Sequence, residues 1–402
     1  MTKAGTDSSS TGPEGELRVF LVAGEPSGDA LAGPLMAALR RRLGPGLRFA
    51  GVGGERMAEQ GLSSQFPMSD LSLVGLVEVI PRIPRLLRRL NEVEAAIRRW
   101  QPHTVVTVDA PGFNFRLAAR LRGSGIPIVH YVAPSVWAWR PDRAQRLATL
   151  LRHLLVLLPF EPPWFDRWGL PTTYVGHPAL ESVGAGATNV DRPLPPRSVG
   201  PLLCLLPGSR SSELRRLLPV FAETVDRLRE RHPRLTTVLP TVPAVVAQLR
   251  DMVRSWPQPP EIILDRSAAL AAMECADVAL AASGTVTLEL ALLGTPYVAC
   301  YRTNPLTGAI VRRMLRVPHV TLANLVLGRT VVPELLQERC RPDLIVAELD
   351  KLLTLPEAVA AQKAAFEEVR RRLAVDMSPS EKAASIVAQI VQESATEGYG
   401  RS

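Results

Sequence analysis

Short apolar runs alternate with longer amphipathic stretches twice over, on either side of one Gly/Pro-rich break, and this constrains the chain more than any other feature. In the first half the runs are RVFLVAG, LRFAGVG, TVVTVDAP and PIVHYVAP. Each is followed by a helical pattern: Ala30 to Leu43, Arg56 to Gln60, Phe115 to Arg122, Asp142 to Arg152. A strand covered on both faces reads as a continuous apolar run, and an amphipathic stretch between two such strands reads as a crossover helix. From Ser182 to Pro201 the rhythm lapses into SVGAGATNVDRPLPPRSVGP, whose Gly and Pro content argues against a packed element. It restarts with LLCLLPGSR, TTVLPTV, EIILD, DVALAASG and PYVACY, and from about Asp343 to Ser394 it becomes helical.

The expected fold class is therefore α/β, with two tandem Rossmann-like, doubly wound domains. The expected boundaries are a disordered tail over 1–16, a first domain over 17–181, a linker over 182–201 and a second domain over 202–375. A terminal helix and tail over 376–402 is expected to pack back on the first domain, by analogy with such folds. Doubly wound sheets hold ligands at the carboxyl ends of their strands, so two facing domains place their chemistry in one cleft.

With 402 residues, 46% of them hydrophobic, the chain has material for two cores. It has no apolar run long enough to span a bilayer and no apolar signal core near its start, MTKAGTDSSSTGPEGE, so a cytoplasmic location is expected. Cys204, Cys275, Cys300 and Cys340 lie far apart without C-x-x-C pairing and read as reduced, mostly core residues. The formal charge of +8 comes almost wholly from arginine, since lysine occurs only at Lys3, Lys351, Lys363 and Lys382. The basic stretches lack interleaved aromatics and any nucleic-acid motif, so no nucleic-acid partner is expected.

Chemistry-bearing residues gather just after the apolar runs. Gly24-Glu25-Pro26-Ser27-Gly28-Asp29 is a tight turn into a helix, either an anion site or a plain turn with Asp29 as the helix cap. Asp109 follows Thr104 to Val108 directly, where an α/β enzyme carries a general base and where a helix-capping Asp is equally at home. His130 to Arg140 concentrates polar and aromatic groups, and Trp137 and Trp139 suit either sugar faces and acyl chains or ordinary packing. In the second half, Gly208, Ser209 and Arg210 suit a diphosphate, because Arg matches phosphate oxygens with a planar fork of donors. Ser283, Gly284 and Thr285 open a helix whose Glu289 is placed to accept from ribose hydroxyls.

Read in order, AGEPSGD, GVGG, LVGLVEV, DAPGFN, HYVAPSVWAW, LPFE, VGHP, LLPGSR, ASGTVTLE and NLVLGRTVVPELLQ closely resemble the lipid A disaccharide synthases, inverting GT-B-type glycosyltransferases. The resemblance runs from Leu17 to about Val391. It implies β(1→6) joining of UDP-2,3-diacylglucosamine to 2,3-diacylglucosamine 1-phosphate with release of UDP, and no metal or other cofactor. It places the acceptor in the first domain, with Gly24, Glu25, Ser27, Gly28, Asp29, Ser135 and His177, and makes Asp109 the catalytic base. It places the nucleotide sugar in the second domain, with Gly208, Ser209, Arg210, Ser283, Gly284, Thr285 and Glu289, and adds Asn324 and Gln337 at the uracil or sugar pocket. Gly112 stands where some relatives carry a second acidic residue, so one carboxylate is expected in that loop.

The implied partners are UDP-diacylglucosamine, diacylglucosamine 1-phosphate, inner-membrane lipids contacted peripherally on the cytoplasmic face, and a second copy of the chain in a homodimer. The membrane expectation rests on the apolar and basic stretches Leu71 to Arg89 and Ile310 to Arg316. Two rivals stand beside this reading. A UDP-sugar 2-epimerase on the same scaffold has no use for the apolar stretch from Leu71 to Leu90, and a non-catalytic nucleotide-sugar binder would show no turnover.

Overall fold

The computed structural model describes residues 16–71, 83–139, 142–187, 200–304 and 317–399. Among them, two six-stranded parallel sheets form. The first contains β1 (Leu17–Ala23), β2 (Leu47–Val52), β3 (Thr104–Val108), β4 (Ile128–Tyr131), β5 (His153–Val156) and β6 (Thr172–Tyr174), in the order β2-β1-β3-β4-β5-β6. The second contains β7 (Leu202–Leu206), β8 (Thr236–Pro240), β9 (Glu261–Ile263), β10 (Val278–Ala282), β11 (Tyr297–Tyr301) and β12 (Glu334–Leu336), in the order β12-β11-β10-β7-β8-β9. Strand order reverses between β1 and β3 in the first sheet and between β7 and β10 in the second. A crevice opens at such a reversal because the flanking helices leave on opposite faces.

The period-2 geometry of the strands sorts their side chains into cores. Phe20 and Val22 face one side of the first sheet, and Val19, Leu21 and Ala23 face the other. In the second sheet Cys204 and Leu206 point one way, and Leu203 and Leu205 the other. Both faces are covered by helices, which explains the unbroken apolar runs. Strands β5, β6 and β12 carry no separate run in the sequence: β6 and β12 have only three residues each, and β5 merges into the apolar stretch from Leu154 to Phe160.

The expected linker begins too early. Ser182 to Ala187 continue the helix Pro178–Ala187, and the rest of that stretch up to residue 199 lies outside the described residues, as do the tail over 1–15 and the stretch Ile310 to Arg316. Glycine inside a helix costs about 1 kcal/mol relative to alanine. Leu180 and Val183 offset that cost by packing on the second domain's core.

After the helix Pro356–Leu373, whose Phe366 stacks on Tyr297 in the second domain, the chain crosses back. The helix Pro379–Tyr399 buries Ala383, Val387 and Val391 with Leu35 and Leu39 of the helix Pro26–Leu43 on the first sheet. Tyr174 Oη donates to the Leu373 carbonyl at 2.8 Å, and the Ser380 N–H donates to Glu181 Oε1 at 2.9 Å, fixing the crossing at both ends. Residues 72–82 of the expected membrane stretch lie outside the described residues. In the helix that follows, Ile83–Trp100, Leu86 and Leu90 are core, while Leu87 is 45% exposed. Among the described residues no helix is long and apolar enough to cross a membrane.

Candidate active site

Ser27, just beyond β1, donates through Oγ to Asp109 Oδ2, just beyond β3, at 2.7 Å. The two turns meet across the first sheet's reversal point. A Cβ on Gly24 would lie 2.6 Å from the Ala110 Cβ, so only glycine lets them approach so closely. Asp109 and Ala110 both adopt left-handed backbone, with φ of 52° and 45°, which costs a non-glycine residue about 1–2 kcal/mol. Fully buried Asn114 clamps this turn, its Nδ2 donating to the Asp109 carbonyl at 2.7 Å. The cap position of the following helix, Pro111–Arg120, is held by Ala110 without a side-chain cap, so capping is not what Asp109 does. Strain held in place by a dedicated clamp fits a side chain placed for chemistry. Asn114 was not among the expected site residues, although it closes the DAPGFN motif.

Glu25 stands at the head of the helix Pro26–Leu43, half-buried. Burial raises its carboxyl above the usual range, the Asp109 carboxylate raises it further, and the Arg210 guanidinium pulls it back down. One carboxyl is thus acted on by a charge from each domain. Asp29, expected at the acceptor site, is instead structural. Buried, it accepts from the backbone N–H groups of Gly54 at 2.8 Å, Arg56 at 3.0 Å and Met57 at 3.1 Å, and so closes the start of the helix Glu55–Glu59. A carboxylate with three backbone donors has little left to offer a ligand.

In the second domain Gly208, with φ of 106°, turns the chain after β7 so that Arg210 heads the helix Ser211–Arg231. Glu213 reaches back over this turn: its Oε2 accepts from the N–H groups of Ser209 at 3.1 Å and Arg210 at 3.2 Å, and its Oε1 pairs with the Arg210 guanidinium at 3.2 Å. The backbone amides of this turn are therefore occupied by a carboxylate of the chain itself, and what remains for a diphosphate is the exposed guanidinium. The Ser-Ser-Glu spacing after Arg210 is that of a capping box, which is the signal that could have revealed this. Beyond β10, exposed Gly284 and Thr285 open the helix Thr285–Leu293, which has no side-chain cap; in its first turn the Thr287 N–H donates to the Gly284 carbonyl at 3.1 Å. Ser283 is fixed just before it through its N–H to the Cys300 carbonyl at 2.9 Å, and Glu289 on the same helix is buried and paired with Arg266.

Asn324 and Gln337 part company. Asn324 is completely buried, and its amide is fully used: Nδ2 donates to the Val332 carbonyl at 3.0 Å and to Glu334 Oε1 at 2.9 Å, while Oδ1 accepts from the N–H groups of Val331 at 2.8 Å and Val332 at 3.0 Å. Two donors and two lone pairs are all an amide has, so Asn324 shapes the loop before β12 and does not line a pocket. Gln337, in left-handed backbone at φ 50°, accepts from the Thr303 N–H through Oε1 at 3.2 Å and keeps its NH₂ group.

Exposed Ser135 and buried His177 line a cavity of about 300 Å³ between the domains, together with Trp137 and Glu161 of the first domain and Leu322 and Leu325 of the second. Glu161 was not expected at the site, although LPFE contains it. Its carboxylate accepts from Trp137 Nε1 at 3.1 Å and from the Leu158 N–H at 2.9 Å, and burial lifts its pKa to about 7. His177 Nδ1 accepts from the Ala179 N–H at 3.1 Å, and burial lowers its pKa to about 4.

Comparison with known proteins bears on what this cleft does. The family model described as lipid-A-disaccharide synthetase matches residues 19–391. Curated proteins named lipid-A-disaccharide synthase match along most of their length. That of Rhodospirillum centenum is 49% identical over 381 residues, 93% of this chain and 95% of the relative, and that of Gluconobacter oxydans is 45% identical over 93% and 91%. Among solved structures, the UDP-GlcNAc 2-epimerase of Neisseria meningitidis bound to UDP-GlcNAc superposes with a TM-score of 0.59 at 12% identity, covering 94% of this chain and 100% of that one. The glycotransferase of kitacinnamycin superposes with a TM-score of 0.60 at 16% identity, covering 93% and 99%. At such identities these two structures speak for the fold alone.

Proposed function

The chain belongs to the lipid-A-disaccharide synthetase family and is a glycosyltransferase of lipid A biosynthesis, and from that premise we propose that it joins UDP-2,3-diacylglucosamine to 2,3-diacylglucosamine 1-phosphate with Asp109 as the general base. The epimerase reading is not favoured, since it draws only on distant likeness of fold. The acceptor's 6-hydroxyl oxygen attacks the donor's anomeric carbon, the bond from that carbon to the diphosphate oxygen breaks, and UDP leaves with the electron pair. The hydroxyl proton passes to Asp109. Ser27 holds the carboxylate's other demands by donating to Oδ2, which fixes its orientation toward the cleft. Gly24 and Gly28 allow the turns of β1 and β3 to close around that pair.

In this reading the departing diphosphate sits on the Ser283-Gly284-Thr285 turn, where the helix lacks a side-chain cap, with the Arg210 guanidinium supplying charge from the same domain. Gly208 and Ser209 serve by shaping the turn that carries Arg210. Glu289 receives the ribose hydroxyls and Gln337 offers its NH₂ to the base or sugar. The observation that carries this reading is the Ser27–Asp109 hydrogen bond at 2.7 Å, which holds one carboxylate at the reversal point of the first sheet. Peripheral contact with anionic lipid on the cytoplasmic face, through the start of the helix Ile83–Trp100, and a homodimer belong to the same proposal; light scattering on the purified protein tests the latter. The decisive experiment mixes UDP-diacylglucosamine with the monosaccharide 1-phosphate and looks for disaccharide and UDP by mass spectrometry. Absence of product at every chain length overturns the reading.

A further inference from the structure

The cavity between the domains contains a hydrogen-bond donor that the protein itself does not use. With Nδ1 of His177 accepting from the Ala179 N–H, the single proton of the neutral imidazole sits on Nε2. Among the described residues nothing accepts from that Nε2–H, although His177 is only 5% exposed and lines the cavity. The Nε2 atom is not sealed off, so its donor is open to whatever enters the cavity. The neighbouring polar group, Glu161, does not take this proton; its oxygens accept from Trp137 and Leu158 instead. The opposite walls are apolar: Leu158 from the first domain and Leu322 and Leu325 from the second. Val132, also on the wall, adopts φ of 83°, a genuine outlier for a β-branched residue and a mark of a functional edge.

A donor set against aliphatic walls matches a group that is mostly hydrocarbon with an acceptor atom at its head. We propose that this cavity takes the first part of an acyl chain of the acceptor substrate, with His177 Nε2–H donating to the acyl carbonyl oxygen. The inference rests on the transferase reading above and adds which part of the substrate is held there. Because the walls come from both domains, the site is complete only when they are together, so the acyl chain binds where the cleft closes. The cavity's polar groups are His177, Glu161 and the Ser135 hydroxyl at its rim, and the rest of its lining is Val, Ala, Leu and Trp side chains, which suits a chain that is mostly hydrocarbon.

The test compares acceptors bearing long and short acyl chains at saturating UDP-diacylglucosamine. Ser135→Trp fills the cavity from an exposed rim position without disturbing a core, and His177→Phe removes the donor while keeping the ring volume. The expected result is that Ser135→Trp lowers the long-to-short ratio of kcat/KM about tenfold or more. His177→Phe lowers kcat/KM several-fold for both acceptors by raising the acceptor KM, while UDP affinity measured by calorimetry stays at the wild-type level in both variants. An unchanged long-to-short ratio in folded Ser135→Trp overturns the proposal, and so does a His177→Phe defect confined to UDP binding. Wild-type protein that makes no disaccharide from either acceptor overturns the transferase reading instead, which keeps the two failures apart.

Discussion

Ser27 Oγ donates to Asp109 Oδ2 at 2.7 Å across the point where the first sheet reverses its strand order. The pair joins residues that are 82 positions apart and sets the acidic wall of the cleft.

Asp109→Asn is expected to fold and bind UDP normally while losing about 10²-fold or more in turnover, the usual scale for a general base. Asn tolerates left-handed backbone well, so the variant keeps φ near 52° and loses only basicity. Steady-state kinetics with calorimetry of UDP binding checks this. Near-normal turnover in folded protein would transfer the role to Glu25, the neighbouring carboxyl.

Arg210→Ala is expected to cost about 2–4 kcal/mol in kcat/KM for the UDP-sugar, because it removes the cationic fork nearest the predicted diphosphate seat. Glu213→Gln, which loosens the Arg210 contact but leaves the guanidinium, should cost much less. Equal effects of the two substitutions would show that the turn, not the charge, matters.

Glu161 makes stability depend on pH. Its folded pKa of about 7 lies above the ordinary 4.5, so the folded protein holds that proton more tightly than the unfolded chain. Its contribution is therefore greatest below about pH 4.5 and is lost as pH rises through about 7, a span of roughly 3 kcal/mol. Glu161→Gln lacks this loss. Urea denaturation from pH 5 to pH 8 should find the variant gaining on wild type as pH rises; a difference that stays flat would remove Glu161 from the account.

Asn324→Ala should destabilise the second domain by about 3 kcal/mol or more, since it orphans the Val332 carbonyl and the N–H groups of Val331 and Val332 in the loop before β12 and removes one of the donors to Glu334. Folded protein at low temperature should still bind UDP. Loss of UDP binding without loss of stability would return Asn324 to the ligand pocket.

The start of the helix Ile83–Trp100 presents exposed Leu87 together with Arg85 and Arg88. Flotation with anionic liposomes should recover the protein at low salt and release it at high salt. Equal recovery with and without liposomes would refute membrane contact.

Much of this architecture can be read from the chain itself. Runs such as LLCLL and VALAA are strands because both faces must be covered, and the residues just beyond them, Asp109, Arg210 and Gly284, are at strand ends wherever the sheets lie. The motif order was enough to recognise the family. What local sequence could not carry is partnership. Asp29 reads as an active-site acid or a cap for its own helix, yet it closes a different helix, Glu55–Glu59. The family resemblance makes Asn324 a pocket residue, yet the loop before β12 folds over it and, with Glu334, takes all four of its hydrogen bonds. Glu161 and His177 become wall and donor of one cavity only because the second domain brings Leu322 and Leu325 against them. Periodicity and turn residues act over a few positions, so the sequence by itself determined the longer strands, most of the helices and the edge on which the chemistry lies, but not the short strands β5, β6 and β12. Hydrogen bonds and burial act through space, so only the tertiary structure decided which polar groups are used up in holding the fold and which remain open to a substrate.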